Sequence, residues 1–405
     1  MLAEDAKFSN LPSDARNYIL MHTLSSPLMI GEFAFIAYLL YNHYSIIEIG
    51  IFYTVANFVT AAGPYLIGKT TKLNVSGRKT MSLIYIIEGI GYFTFFLASG
   101  KYSSLILLMG LLFFKFSSVF YSIFPSYEQI VFPEKIREKS YLYHLIYPEY
   151  TQIIAFPIIG FILSYIFPWA ITYRILFLGI STGSFLMLVF IRSRIRSMTG
   201  RFFTVEKKRD RIKLPKSFFT IFLSQTFLYA AQAIIPNIVL VYYVMMVLKQ
   251  TFFVVMLLEV LNSAVTIGLG TMIKNGEINS RGWLIGGASL FIVEQIMYVI
   301  AGVSVSVYPM ALGILFGTAG NVFWFPVNRS TLMKYIPNEL RGEVFGSITS
   351  VSRGINIIIP LASAYLITLF IYSPFIVSAF LFATSLLGYA IITKRPGQPS
   401  KVEPV

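Results

Sequence analysis

The sequence predicts an all-α membrane protein of twelve transmembrane helices in two pseudo-symmetric six-helix bundles. Three observations carry that prediction. Of 405 residues, 56% are hydrophobic and only 12% charged, about half the charged share of a soluble domain. Apolar runs long enough to cross about 30 Å of hydrocarbon as helices occur twelve times. The second half of the chain also repeats features of the first at a nearly constant offset.

The runs cover approximately 17–42, 46–68, 79–99, 103–131, 140–167 and 170–191, then 217–247, 251–273, 282–304, 307–333, 344–370 and 373–393. They are called spans one to twelve below. Barrel strands would alternate over about ten residues, whereas these runs are continuously apolar and far longer, so helices are predicted. The first sixteen residues carry Glu4, Asp5, Lys7, Asp14 and Arg16 and show no small-residue cleavage site behind a short apolar core. No cleaved signal peptide is read there, and span one is kept.

Charge distribution orients the chain. Of 32 Lys and Arg, 27 fall in the termini and in the connections near 69–79, 135–139, 192–216, 274–281 and 329–341; the opposite connections hold Lys101, Arg174 and Lys249. This positive-inside asymmetry predicts a multi-pass protein of the cell membrane with both termini cytoplasmic. The expected organisation is a cytoplasmic segment 1–16, a bundle 17–191, a basic linker 192–216, a bundle 217–393 and a cytoplasmic tail 394–405. The linker holds ten basic residues between Arg192 and Lys216, which fit an anionic leaflet better than nucleic acid. No nucleic-acid partner is expected.

Residue chemistry disfavours an enzyme. There is no Cys, the histidines are His22, His43 and His144, and the aspartates Asp5, Asp14 and Asp210 all lie outside the spans. Thiolate metal sites, paired-aspartate chemistry and an intramembrane aspartyl protease lack their groups. Neither a metal nor a cofactor is expected.

Internal repetition is read from "FPSYEQIVFPEKIREKS" after span four and "FPVNRSTLMKYIPNELRGEV" after span ten. Pairing Pro133 with Pro337 pairs Arg137 with Arg341, and Glu88 in span three matches Glu294 in span nine two residues further on. Duplicated halves are common in transporters.

Six plus six spans, a long basic linker and P-x-x-x-R turns after spans four and ten resemble the major facilitator superfamily over nearly the whole chain. The family's loop between spans two and three is similar to "NVSGRKT" here: Gly77, Arg78 and Lys79 match, while Asn74 stands where the family has an acid. That motif, with Arg137 and Arg341, is the expected gating-loop element. A cationic turn obeying the positive-inside rule accounts equally well for Arg78 and Lys79.

The resemblance implies a central cavity lined by spans one, four, seven and ten, with spans two, five, eight and eleven at the seam. Glu32 in span one and Lys115 in span four are therefore the first coupling candidates, against a static ion pair as the structural alternative. Glu149, Glu259 and Arg353 on spans five, eight and eleven suit ties between the halves or substrate contact. Gln225, Tyr229, Gln232 and Asn237 in span seven, with Asn321, Trp324 and Asn328 in span ten, offer hydrogen bonds and stacking surface. Glu88 and Glu294 sit on peripheral spans, where a hydrogen-bonding role inside their own bundles is expected, with a proton relay as the alternative.

Five mid-span acids, Glu32, Glu88, Glu149, Glu259 and Glu294, face two mid-span bases, Lys115 and Arg353. Unpaired carboxylates are costly in hydrocarbon, which favours proton coupling. The expected function is a monomeric secondary active transporter that moves a small organic solute by alternating access, in either direction. The alternative is a non-transporting receptor or assembly factor that kept the fold.

Overall fold

The structure is a computed structural model describing residues 8–70, 75–121, 123–133, 137–200, 216–273, 280–335 and 341–394. Ten of its helices are long and apolar enough to cross a membrane, and two shorter apolar stretches, Ile46–Ala61 and Gly354–Leu369, stand where spans two and eleven are predicted. The helices follow the apolar runs closely: Gly77–Leu97 for 79–99, Phe252–Ile273 for 251–273 and Ser373–Lys394 for 373–393. The fold is thus all-α, as predicted.

Among the described residues spans one, four and seven are interrupted, each for a local reason. Span one changes from Ser13–Ser25 to Ile30–Tyr41 through a 3-10 turn, Ser26–Met29, that contains Pro27. In span four, Ser117 and Ser118 turn their hydroxyls back onto the Phe114 and Lys115 carbonyls, both at 2.7 Å. The helix tightens there to 3-10 geometry at Ser118–Phe120 before Ile123–Val131 resumes it; such back-bonding competes with the helical ladder. In span seven, Pro236 has no N–H to donate and disfavours helix at the residue before it. Lys216–Ala233 therefore ends, and Asn237–Tyr242 restarts as Val239 N–H bonds the Pro236 carbonyl at 2.8 Å.

The described chain divides into two compact units: residues 1–204 with 241–270, and residues 205–240 with 271–405. In the first, Gly77–Leu97 packs on both Ala170–Arg194 and Ser103–Ser117, and Ser13–Ser25 packs on Arg137–Phe161. A Cβ at Gly91 would lie 2.9 Å from the Gly110 carbonyl oxygen, so glycine lets spans three and four touch backbone to backbone. Phe35 stacks on Phe95 at 4.2 Å, and Phe177 closes on Phe95 at 5.4 Å. A short antiparallel pair, Val75–Ser76 with Thr199–Gly200, ties the turn before span three to the segment after span six.

In the second unit Ser280–Ser304 packs on Val307–Tyr335 and on Ser373–Lys394. Gly287 and Gly320 face each other's carbonyls: an added Cβ would stand 2.7 Å and 2.9 Å, respectively, from the partner oxygen. Phe291 stacks on Phe382 at 4.9 Å. Buried hydroxyls complete the packing, with Ser385 donating to the Ser224 carbonyl and Ser378 to that of Ala231, both at 2.8 Å.

Candidate functional site

Local sequence places the first two candidates. Glu32 occupies the first turn of Ile30–Tyr41, just past the Pro27 turn. Lys115 lies immediately before the serine-tightened turn of span four. Lys115 Nζ approaches Glu32 Oε1 to 3.1 Å, with the two side chains 18% and 28% exposed. Around the ammonium stand the Tyr53 ring, 5.1 Å to its centroid, and the Phe114 ring at 5.4 Å. Gly31, beside Glu32, lies against Tyr92 so closely that a Cβ would overlap the phenol ring. The pair is thus walled by aromatic faces that attract a cation.

Two residues along span four, Ser117 Oγ donates to Glu88 Oε1 at 3.1 Å, and the Tyr121 hydroxyl donates to the same oxygen. Glu88 is therefore bonded to its neighbouring helix as an acceptor. Glu294 differs. It accepts from Tyr298 at 2.8 Å and Gln295 at 3.1 Å, both on its own helix, and its carboxyl rests on Gly317 of span ten. Gly317 supplies space but no donor. The matched acids thus share a position without sharing a bonding pattern.

Glu149 follows Pro148 in span five and accepts from Ser263 Oγ of span eight at 2.5 Å. Glu259 lies one turn before Ser263 on the same face and interacts electrostatically with Glu149. Spans five and eight meet again where Phe253 N–H donates to Ser164 Oγ at 2.8 Å. The side chain of Arg353 lies outside the described residues, as do Asn74 and the side chains of Arg137 and Arg341.

The remaining candidates spread through the second unit. Trp324 is 1% exposed and packs with Phe291, Phe382 and Tyr389; Tyr229 meets it edge-on at 6.0 Å. Asn328 accepts from the Tyr389 hydroxyl at 3.0 Å. Gln225 is buried, and its Oε1 has no hydrogen-bond partner among the described residues. Gln232 and Asn237 are half-buried, and Asn321 is exposed. In the gating-loop element, the Gly77 amide donates to the Met198 carbonyl at 3.0 Å and Arg78 to that of Arg192 at 3.4 Å, while Lys79 is exposed.

The sequence reading passed over one buried group. Glu128 of span four is 5% exposed and accepts from Tyr18 at 2.9 Å, with His144 Nδ1 at 3.5 Å. Its position inside the 103–131 run was the available signal. Among the described residues no group of three or more His, Cys, Asp or Glu is disposed to hold a metal ion.

Arrangement and packing define the class: the chain has the fold of the major facilitator transporters and is a multi-pass membrane protein. A POT family transporter solved with 5-aminolevulinic acid superposes with a TM-score of 0.69 at 13% identity, covering 97% of this chain and 100% of the other. A D-xylose-proton symporter gives 0.69 at 16% identity over 95% and 98%. A bacterial metal transporter gives 0.65 at 16% identity over 95% and 100%. No protein-family profile matches the sequence, and no curated protein does.

Proposed function

We propose that the chain is a secondary active transporter that moves a small organic solute by alternating access, coupled to protons, with both termini cytoplasmic. The observation that carries this reading is the Lys115–Glu32 contact at 3.1 Å, a partly buried ion pair joining two spans. In the empty state Lys115 stabilises ionised Glu32. A proton or a substrate group takes Glu32, and the released ammonium turns to Tyr53 or Phe114, where cation–π attraction supplies about 0.5–2 kcal/mol. A ligand shifts an alternating equilibrium only through differential interaction with its states, and this exchange of partners supplies the difference. Solved proteins of the same fold include a proton symporter, which supports the coupling ion chosen here.

The test is flux in proteoliposomes. Candidate solutes come from thermal-shift screening of the purified protein. Addition of a stabilising solute should then produce solute-dependent proton movement that an empty vesicle lacks. Binding without solute or proton flux would favour the receptor reading.

A further inference from the structure

A second cluster of titratable groups lies ten residues before Glu32 in span one, about 15 Å along a helix at 1.5 Å per residue. His22 of span one and His144 of span five meet edge to face, 4.7 Å between ring centroids. His144 Nδ1 is 3.5 Å from Glu128 Oε1 of span four, and Tyr18 donates to that same oxygen at 2.9 Å. Tyr18 also touches both imidazoles, at 4.7 Å from His22 and 5.4 Å from His144. His22 Nε2 is buried with no hydrogen-bond partner among the described residues.

We propose that Glu128, His144 and His22 form a proton-binding site distinct from the Glu32–Lys115 pair. Two imidazoles at this separation repel if both are charged, whereas one carboxylate balances one imidazolium. Loading adds a single proton from water to an imidazole nitrogen. The cluster gains one positive charge, and no other bond changes. His144 becomes a charged donor to Glu128, and His22 packs against it as the neutral ring.

The surroundings fit a site for a single proton. From span one the cluster is faced by Tyr18, and Asp14 lies one turn earlier on the same helix. Tyr127 from span four and Tyr85 from span three share one buried group with Tyr18, and the partly buried Tyr141 of span five packs against it. Among the described residues, Arg196 stands 3.5 Å from Asp14 with its own side chain 70% exposed. The site suits a proton, held by the His144 imidazole with its Nδ1 3.5 Å from Glu128 Oε1. Its three residues come from spans one, four and five, so loading strengthens the attraction of span five for the other two.

Isotope-labelled histidine NMR on the full chain in nanodiscs tests the proposal without any substrate. Its outcome is therefore independent of the transport reading. The chain has only three histidines, and His43, in the turn after span one, is the internal reference, assigned through His43→Gln. The His144 ring should titrate in one step with His22 resonances following. Glu128→Gln should move the midpoint by about one unit or more, and Tyr18→Phe by less, with His43 unmoved. A His144 midpoint unchanged in folded Glu128→Gln, or flat His22 and His144 signals, would overturn the proposal. If Glu128→Gln does not fold, an unchanged midpoint in Tyr18→Phe overturns it.

Discussion

Ser263 of span eight donates a 2.5 Å hydrogen bond to the Glu149 carboxylate of span five, joining segments that are more than a hundred residues apart in the chain. Interhelical bonds of this kind contribute about 0.6–2 kcal/mol in membranes. Ser263→Ala should lower unfolding free energy by about 1 kcal/mol, and in Glu149→Leu, which has no acceptor, the same substitution should cost less. Equal losses in both backgrounds, read by denaturant unfolding as a double-mutant cycle, would show that the bond contributes nothing.

Gly286 and Gly287 are adjacent in span nine, yet a Cβ meets nothing within 4 Å at the first and the Gly320 carbonyl at 2.7 Å at the second. Gly286→Ala should be neutral or stabilise by up to about 1 kcal/mol through helix propensity. Gly287→Ala should destabilise by about 1–3 kcal/mol, because backbone must move. Thermal melts of the two variants check the contrast. A Gly287→Ala protein as stable as the wild type would mean that the close approach of spans nine and ten is not required.

Glu88 and Glu294 should separate under substitution. Glu→Gln at either site keeps an accepting oxygen and should preserve folding and most transport. Glu88→Leu removes the acceptor shared by Ser117 and Tyr121 of the next helix and should cost about 1–3 kcal/mol. Glu294→Leu should cost less, because its bonds stay within one helix. Loss of proton-coupled flux in well-expressed Gln variants would instead assign them to a relay.

Topology follows from the basic-loop asymmetry, and the absence of native Cys makes the labelling clean. Single cysteines near Arg209 and Lys401 should react only from the cytoplasmic side, and one near Lys249 only from outside. External labelling at 209 in intact cells would reverse the arrangement.

Much of the fold was legible because hydrocarbon imposes it: each run had to satisfy its backbone internally, so apolar length alone located the helices to within a few residues. The interruptions were less legible. Ser117 and Ser118 read as small residues in an apolar run, and their back-bonds to Phe114 and Lys115 depend on rotamers that sequence does not state. The Lys115–Glu32 contact could be anticipated from two charges at mid-span. Glu128 could not be ranked without its neighbours, because an acid near a predicted helix end reads as solvated until Tyr18 and His144 are seen around it. The differing partners of Glu88 and Glu294 were equally hidden, since a shared offset records position and not what the neighbouring helix supplies.

The central claim is that Glu32 exchanges Lys115 for a proton or substrate, and its most direct test is solute accumulation driven by an imposed pH gradient. Glu32→Gln should abolish that accumulation while leaving solute binding or energy-independent exchange detectable, and Lys115→Met should damage both. Wild-type pH-dependent accumulation by Glu32→Gln would contradict the claim and move the coupling site to Glu149 or Glu259.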